Sequence, residues 1–353
     1  MKVYFRVDAS IHIGTGHVMR CLSLAKEVQR NGHDVVFVMR PQVGDLCEYT
    51  KNLGFKVEKL PKLCKPVDPE SDDDYQAWLQ VPISKDVEEF LILAADADVI
   101  VIDHYGISIE WESHIRSIMT CKLVAIDDLV REHNVDLIID QTYGAAASDY
   151  QALSTVGRVI VGSKYALLDT QFAKLHSLAA NKKIDHETHR ILLTMGGVDK
   201  LNTTLKVLNG LSSLESKINT TVLLNKNAPH YKSIVSFCEK HQGWLRHIPF
   251  SGDMAALMLQ HTIAIGAPGS TAWERACMGL PSLLVPIAEN QRKIHQELVS
   301  EKIALSLLID EIPKLLSSKL TQLIGQYGEF RSKSLVICDG MGAKRVAIIL
   351  ESL

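Results

Sequence analysis

Short apolar runs alternate with longer amphipathic stretches along the first half of the chain. Residues 3–5 are apolar, residues 18–30 are amphipathic, and residues 35–39 form a second apolar run. This alternation is typical of βαβ units that build a parallel sheet. Four later runs are also short and β-branched, and they predict further strands at residues 99–102, 123–126, 137–139 and 159–161.

A polar stretch at residues 181–190 separates this half from a second one of similar plan. In the second half, a strand-like run ends in a glycine turn at residues 195–197, and a predicted helix follows from about residue 202. We therefore predict an α/β protein with two Rossmann-like domains, residues 1–180 and 190–353. Two such domains facing each other would enclose a central cleft at the carboxyl ends of both sheets, where open α/β sheets bind ligands.

Composition narrows the choice of partners. The net charge of −3 argues against a dominant nucleic-acid or anionic-membrane surface. No apolar run reaches the roughly 18 residues of a membrane-spanning helix. The seven cysteines are scattered and form no C-x-x-C pair, which favours reduced thiols and a cytoplasmic location. The histidines include no H-E-x-x-H motif, so we expect neither a metal nor a cofactor.

The first motif is IGTGHVMR, residues 13–20, at the turn between the first strand and the first helix. Gly14 and Gly16 let the backbone approach a ligand there, and unpaired N–H groups at a helix start favour anions. Phosphate binding is one interpretation and a tight βα turn is the other. The third glycine of a dinucleotide fingerprint would fall on Met19, so a nicotinamide oxidoreductase is only the third alternative.

His17 is the first side chain after this turn. The positive end of the helix dipole disfavours its protonation, so we expect a neutral imidazole that can accept a proton. Packing at the helix start is the alternative role. Residues 99–106 contain a second motif, a buried strand followed by polar and aromatic residues that include Asp103 and Tyr105. Functional side chains often lie at such strand ends, although Asp103 could simply cap a turn.

The second half contains a third motif, GAPGSTAWE at residues 266–274. Thr271 and Glu274 have the spacing of a capping box, in which Glu274 reaches back to its own helix N-terminus. Alternatively, the Glu274 carboxylate accepts hydrogen bonds from two ribose hydroxyls. Further along, Asn290 and Gln291 follow another predicted strand and offer uncharged donors and acceptors suited to a sugar.

Taken together, these segments resemble the PseG family. The opening RVDASIHIGTGHVMRCLSLA, VIDHYGI, TMGGVD, GAPGSTAWE and ENQ occur in the family's order, and the resemblance runs from residue 1 to about residue 300. The family consists of UDP-2,4-diacetamido-2,4,6-trideoxy-β-L-altropyranose hydrolases of pseudaminic acid biosynthesis. The resemblance is weakest at residues 62–85, the most loop-like insertion, and in the C-terminal tail.

The resemblance implies a fold of the glycosyltransferase B type (GT-B), with UDP held mainly by the C-terminal domain and no metal requirement. It also implies that His17 is the catalytic base and that Tyr105 and Asn290 lie near the reacting sugar. The product would serve flagellin or surface-polysaccharide glycosylation. With the motifs, the resemblance gives these candidate substrate-binding residues: Asp8, Gly14, Thr15, Gly16, Arg20, Asp103, Gly196, Gly197, Ser270, Thr271, Glu274 and Gln291.

The expected reaction is inverting hydrolysis of a UDP-linked 6-deoxy diacetamido sugar, with a water deprotonated by His17. A glycosyltransferase with the same donor site is the nearest alternative, because it differs only in passing the sugar to an acceptor hydroxyl. A noncatalytic sugar-nucleotide binding protein is an alternative of another class. A protein that only binds a sugar nucleotide needs no base beside the phosphate turn, so the presence of His17 there argues against this alternative.

Overall fold

A computed structural model of the chain describes residues 1–71, 73–151, 153, 157–183 and 188–353. It divides into two compact units. The first unit comprises Met1–Asp169 and Met341–Leu353, and the second comprises Thr170–Gly340. Each unit has a parallel sheet flanked by helices, as the alternation of apolar and amphipathic stretches predicts.

Within its described residues, the first unit has a seven-stranded sheet. The strands are β1 (Lys2–Val7), β2 (Asp34–Met39), β3 (Lys56–Lys59), β4 (Val99–Asp103), β5 (Lys122–Ile126), β6 (Leu137–Asp140) and β7 (Arg158–Val161). Their order in the sheet is β3-β2-β1-β4-β5-β6-β7, and every pairing is parallel. Val7 of β1 pairs with Asp103 of β4, so the loops after these two strands leave neighbouring positions on one edge of the sheet.

Helices cover both faces of this sheet. They are α1 (Gly16–Arg30), α2 (Cys47–Asn52), α3 (Tyr75–Leu79), α4 (Ile83–Ala94), α5 (Ile109–Ile118) and α6 (Ala147–Gln151), with a 3₁₀ turn at Ser163–Tyr165. In β1, Val3 and Phe5 pack into the core on one face, whereas Tyr4 packs into the core on the other. Burial on both faces explains why the central strands are continuous apolar runs in the sequence.

The second unit has a six-stranded parallel sheet among its described residues. The strands are β8 (Arg190–Thr194), β9 (Asn219–Leu223), β10 (Leu245–Ile248), β11 (Ile263–Gly266), β12 (Ser282–Leu284) and β13 (Leu305–Ser306). Their order is β10-β9-β8-β11-β12-β13. The helices are α7 (Thr170–Asn181), α8 (Thr203–Ser212), α9 (Tyr231–Lys240), α10 (Met254–Leu259), α11 (Thr271–Cys277), α12 (Arg292–Ser300), α13 (Ile312–Gly325) and α14 (Tyr327–Ile337), with a 3₁₀ turn at Glu289–Gln291.

Two helices belong to a different unit from the one that the predicted boundaries, 1–180 and 190–353, give them. Helix α7 belongs to the second unit, where it packs against α10 and α11 and buries Phe172. The last helix, α15 (Gly342–Leu350), returns to the first unit and packs on α1. Val346 and Leu350 are fully buried in the core of the first unit, so burial of this apolar face draws the end of the chain back.

None of the helices formed by the described residues combines the length and the apolar character that crossing a membrane requires.

Candidate active site

The turn after β1 presents the start of α1 at the carboxyl edge of the first sheet. Gly14 adopts a positive φ of +79°, which a residue with a side chain rarely adopts. The Ser10 hydroxyl accepts hydrogen bonds from the backbone N–H groups of His12 and Ile13, each at 3.1 Å, and so holds the loop. Thr15 occupies the N-cap position of α1 without making a side-chain cap. His17 follows one residue into the helix.

His17 and Arg20, one helical turn apart, converge on Asp103 at the end of β4. The His17 Nδ1 atom lies 2.6 Å from Asp103 Oδ1. Arg20 donates from Nε to Oδ2 and from Nη2 to Oδ1 of the same carboxylate, both at 2.7 Å. All three side chains are buried, with His17 8% exposed and Asp103 fully enclosed. The structure thus brings together three predicted site residues that are distant in sequence.

This geometry fixes the state of the carboxylate and the orientation of the imidazole. Burial disfavours the charged form of Asp103, but the charge of Arg20 and the contact with His17 outweigh it and hold the pKa of Asp103 well below its usual range. An ionised carboxylate only accepts hydrogen bonds, so the hydrogen of a neutral His17 lies on Nδ1. The lone pair is therefore on Nε2, which can accept a proton.

Asp128, just beyond the end of β5, extends the cluster. Its carboxylate accepts from Arg20 Nη1 at 2.9 Å and from the Tyr105 hydroxyl. Burial, followed by the charge of Asp128, raises the pKa of Tyr105 well above its ordinary value, so Tyr105 remains a donor. With His17 neutral, Arg20 and the two carboxylates carry one net negative charge, which a proton on His17 would neutralise.

Aromatic rings surround the imidazole. The His17 ring meets the Tyr105 ring edge-on, with centroids 4.6 Å apart and an interplanar angle of 87°. Trp78 of α3 stacks on Tyr105 at 5.6 Å, and Tyr75 contacts both rings, at 4.8 Å from Trp78 and 5.0 Å from Tyr105. Motif analysis missed Tyr75 and Trp78, because they lie in the loop-like insertion. Asp128 was detectable as a carboxylate following a predicted strand.

Asp8 does not join this cluster. Its side chain is fully buried, and it forms an ion pair with Arg6 at 2.9 Å and accepts from the Arg40 backbone N–H at 2.7 Å. His104 Nε2 lies 3.3 Å from the same carboxylate, and burial lowers the pKa of His104. We expected Asp8 to contact the substrate, but the structure gives it a structural role. Its carboxylate oxygens hold the turn after β1 against the residues that follow β2 and β4.

In the second unit, two glycine-containing turns leave adjacent strands. Thr194 of β8 pairs with Gly266 of β11, so the turns that follow lie side by side on one sheet edge. Gly196 has a φ of +80°. The Asp199 carboxylate then accepts from the backbone N–H groups of Thr203 and Thr204, both at 2.8 Å, and caps α8.

A buried arginine supports the second of these turns. Arg275 donates from Nη2 to the Ala267 carbonyl oxygen at 2.9 Å and from Nη1 to Thr271 Oγ1 at 3.3 Å. Burial lowers the pKa of Arg275 to about 10, against the opposing charge of Glu274, so the guanidinium remains charged at neutral pH. A fixed cation therefore lies directly behind the turn that contains Ser270.

The remaining predicted residues of this unit lie near the same edge. Ser270 is the N-cap residue of α11, so the helix begins one residue earlier than a Thr271–Glu274 capping box requires. Glu274 is half-buried on the first turn. The Gln291 side-chain oxygen accepts from the Ile287 backbone N–H at 2.9 Å. The side chain of Asn290 lies outside the described part of the structure.

The described residues contain no group of three or more His, Cys, Asp or Glu side chains placed to hold a metal ion. No protein-family model matches the chain.

Comparison with solved structures defines the fold class. The chain superposes on MurG of Acinetobacter baumannii with a TM-score of 0.67 at 14% identity, covering 100% of this chain and 99% of that one. It superposes on CalG4, the calicheamicin glycosyltransferase, with a TM-score of 0.65 at 12% identity, covering 99% and 97%. The chain therefore has the GT-B fold, two α/β units with parallel sheets, as predicted.

Curated relatives with similar sequences bear on the predicted resemblance. A UDP-2,4-diacetamido-2,4,6-trideoxy-β-L-altropyranose hydrolase of Campylobacter jejuni is 29% identical over 68% of this chain and 76% of its own length. The spore coat polysaccharide biosynthesis protein SpsG of Bacillus subtilis is 24% identical over 72% and 77%. The uncharacterized protein MJ1062 of Methanocaldococcus jannaschii is 25% identical over 84% of this chain, and the match spans only 58% of MJ1062. The similarity to the Campylobacter jejuni hydrolase confirms the predicted resemblance to the PseG family.

Proposed function

We propose that this chain is a nucleotide-sugar enzyme that hydrolyses UDP-2,4-diacetamido-2,4,6-trideoxy-β-L-altrose by attack of water at C1, with inversion. Its relationship to the Campylobacter hydrolase supports the substrate class. The pairing of His17 with Asp103 is the observation that carries the reaction, because it orients a histidine so that one nitrogen can act as a base.

Hydrolysis of such a substrate needs an activated water more than an acid on the leaving group. UDP departs as an anion, so hydrogen-bond donors and helix starts suffice to stabilise it. The turns at Gly196–Gly197 and at Ser270 would supply backbone and hydroxyl donors to the diphosphate, with Arg275 contributing positive charge from behind. Glu274 would accept hydrogen bonds from the ribose hydroxyls. Asn290 and Gln291 would contact the sugar.

The attacking water would be deprotonated by His17 Nε2 as the C1–O bond breaks. The proton moves from water to the imidazole, the hydroxide oxygen bonds to C1, and the bonding electrons leave with UDP. Asp103 would stabilise the imidazolium that forms, as the carboxylate does in a catalytic triad. Tyr105 would stay protonated and, because its one hydrogen goes to Asp128, would accept a hydrogen bond from the reacting sugar or its water. Attack opposite UDP inverts the configuration at C1.

A glycosyltransferase with the same donor site is the second candidate. The fold favours it, since MurG and CalG4 share the architecture. A base placed like His17 would serve equally well to deprotonate an acceptor hydroxyl. The two activities differ in whether UDP is released when water is the only acceptor.

Proton NMR of the purified protein with the UDP-linked trideoxy sugar, without acceptor and with EDTA, separates them. We expect free UDP and a reducing sugar whose first-formed anomer is inverted. His17→Asn should retain UDP binding and lose hydrolysis by about 10³-fold or more. His114→Asn is the matched control, because His114 is exposed on α5.

Failure to release UDP from any UDP-sugar without an acceptor would contradict hydrolysis and favour transfer. Unchanged turnover in His17→Asn would remove the base from the mechanism. If the protein binds the UDP-sugar but turns it over neither with nor without an acceptor, it would be a noncatalytic binding protein instead.

A further inference from the structure

The segment between β3 and α4 crosses the candidate site. The described residues of this strap are 61–71 and 73–82, and they include the short helix α3. Gln80 closes it into a loop, because its side chain accepts from the Val67 backbone N–H at 2.9 Å and donates to the Val67 carbonyl oxygen at 2.7 Å. At the start of α3, the Asp74 carboxylate caps the Ala77 N–H at 3.3 Å. The strap therefore has a defined local structure.

Three contacts fix the strap over the carboxyl edge of the first sheet. Gln42, in the loop after β2, donates to the Trp78 carbonyl oxygen at 3.1 Å. His12, in the loop after β1, lies 3.3 Å from the Asp68 carboxylate. After β4, Gly106 lies so close to the strap that an added Cβ would overlap the Tyr75 carbonyl oxygen. The strap is thus held by the loops of three adjacent strands, beside His17.

The rings of the strap differ in their exposure. Trp78 is 6% exposed, and its ring lies against Tyr105, which is equally buried. Tyr75 is half-buried and contacts both of these rings, so part of its own surface remains uncovered. Trp78 and Tyr105 contact the imidazole, and Tyr75, which packs on both of them, is the most exposed of the three rings.

We propose that Tyr75 forms an apolar side of the sugar subsite and selects sugars that carry a methyl group, instead of a hydroxymethyl group, at C6. This inference rests on the proposed function for the placement of the sugar beside His17. An aromatic surface favours C–H groups, because they have no water hydrogen bonds to lose. A 6-hydroxyl placed there would lose its water partners without replacement.

The test compares two nucleotides that differ only at C6: the UDP-linked 2,4-diacetamido-2,4,6-trideoxy sugar and its 6-hydroxy counterpart. Calorimetry on His17→Asn protein measures both affinities without turnover. We expect the 6-deoxy nucleotide to bind about tenfold more tightly. Adding Tyr75→Ala should bring the two affinities within about twofold of each other, whereas adding Tyr75→Phe should preserve the preference, because the ring remains.

The ratio of the affinities for the 6-deoxy and 6-hydroxy nucleotides distinguishes loss of selectivity from a folding defect. A folding defect would weaken the binding of both nucleotides equally and leave the ratio unchanged. Equal affinities before Tyr75 is changed, or a preference that survives Tyr75→Ala, would overturn the inference. Hydrolysis by the wild-type protein is scored separately. A preserved dependence on Tyr75 in a protein that releases no UDP would reject hydrolysis and retain the selective subsite.

Discussion

Replacement of Asp103 by Asn tests the proposed base most directly. The Asp103 carboxylate accepts from His17 Nδ1 and from Nε and Nη2 of Arg20. An Asn side chain has one oxygen and one NH₂ group in the same positions. Whichever way the amide lies, its NH₂ group meets an N–H donor. The sterically conservative change therefore breaks the arrangement while preserving the shape of the site.

The expected loss follows from what Asp103 provides. Without the carboxylate, His17 loses the partner that fixes its tautomer and stabilises its imidazolium form. Comparable carboxylates of catalytic triads contribute about 10⁴-fold to kcat, and we expect about 10³-fold here, roughly 4 kcal/mol in the barrier. Breaking a buried ion pair costs about 3 kcal/mol or more of stability. In the variant, Arg20 keeps its ion pair with Asp128 at 2.9 Å, so we expect the loss of stability to lie near the lower end, about 3 kcal/mol.

The assay is UDP release at saturating substrate, alongside thermal unfolding and UDP affinity for each variant. Asp103→Asn should lose turnover at temperatures well below its unfolding transition and should still bind UDP. The double variant His17→Asn/Asp103→Asn should be no slower than His17→Asn alone, since Asp103 acts through the imidazole.

Two results would refute this reasoning. Turnover of Asp103→Asn within about threefold of wild type would mean that the carboxylate is only structural. A double variant whose loss equals the product of the two single losses would mean that His17 and Asp103 act independently.

Three further predictions concern other parts of the molecule. Burial disfavours the charged form of His133, but Asp127 and Glu112 outweigh it and raise its pKa to about 9. The stabilisation of the fold by protonated His133 is therefore complete below about pH 6.5, the unperturbed pKa, and is lost as the pH rises through 9. Between these pH values the unfolding temperature of the wild type should fall, and in His133→Gln it should fall less. Gly106→Ala should push the strap away from β4, and steady-state kinetics should show a lower kcat and a weaker preference for the 6-deoxy sugar. Glu274→Gln should raise the Kd for UDP about tenfold by calorimetry, through loss of charged acceptors for the ribose.

The sequence predicted the central strands well and missed three of the four edge strands among the described residues; the fourth, β7, was predicted from its apolar run at residues 159–161. The apolar runs matched strands that are covered on both faces, such as β1 and β4. The missed strands β3, β10 and β13 all lie at an edge of a sheet. Strand β3 reads Lys-Val-Glu-Lys and has no fully buried residue. Edge strands bury less of their surface and often carry charges that oppose aggregation, so their sequence lacks the apolar signal.

For the site, the sequence indicated which residues follow strand ends but not which way they point. His17 and Asp103 are 86 positions apart, and only the parallel pairing of β1 with β4 brings them together. Asp8 follows β1 just as directly, yet it turns inward to Arg6. Tyr75 gave no signal, since its position depends on how the strap folds back over Gly106. Where these side chains lie depends on packing between segments that are distant in sequence, and local sequence patterns do not contain that information.

The electrostatic environment of His17 includes two carboxylates as well as the start of helix α1. In the proposed reaction, the dipole of α1 would oppose the positive charge that develops on the imidazole at the first turn of the helix. Asp103 and Asp128 oppose that effect, because only one of their two negative charges is balanced by Arg20. Proton uptake by His17 would then neutralise a buried cluster instead of adding charge to it. In the proposed reaction, the carboxylates that follow β4 and β5, and not the helix that carries His17, would therefore favour proton transfer from water to the imidazole.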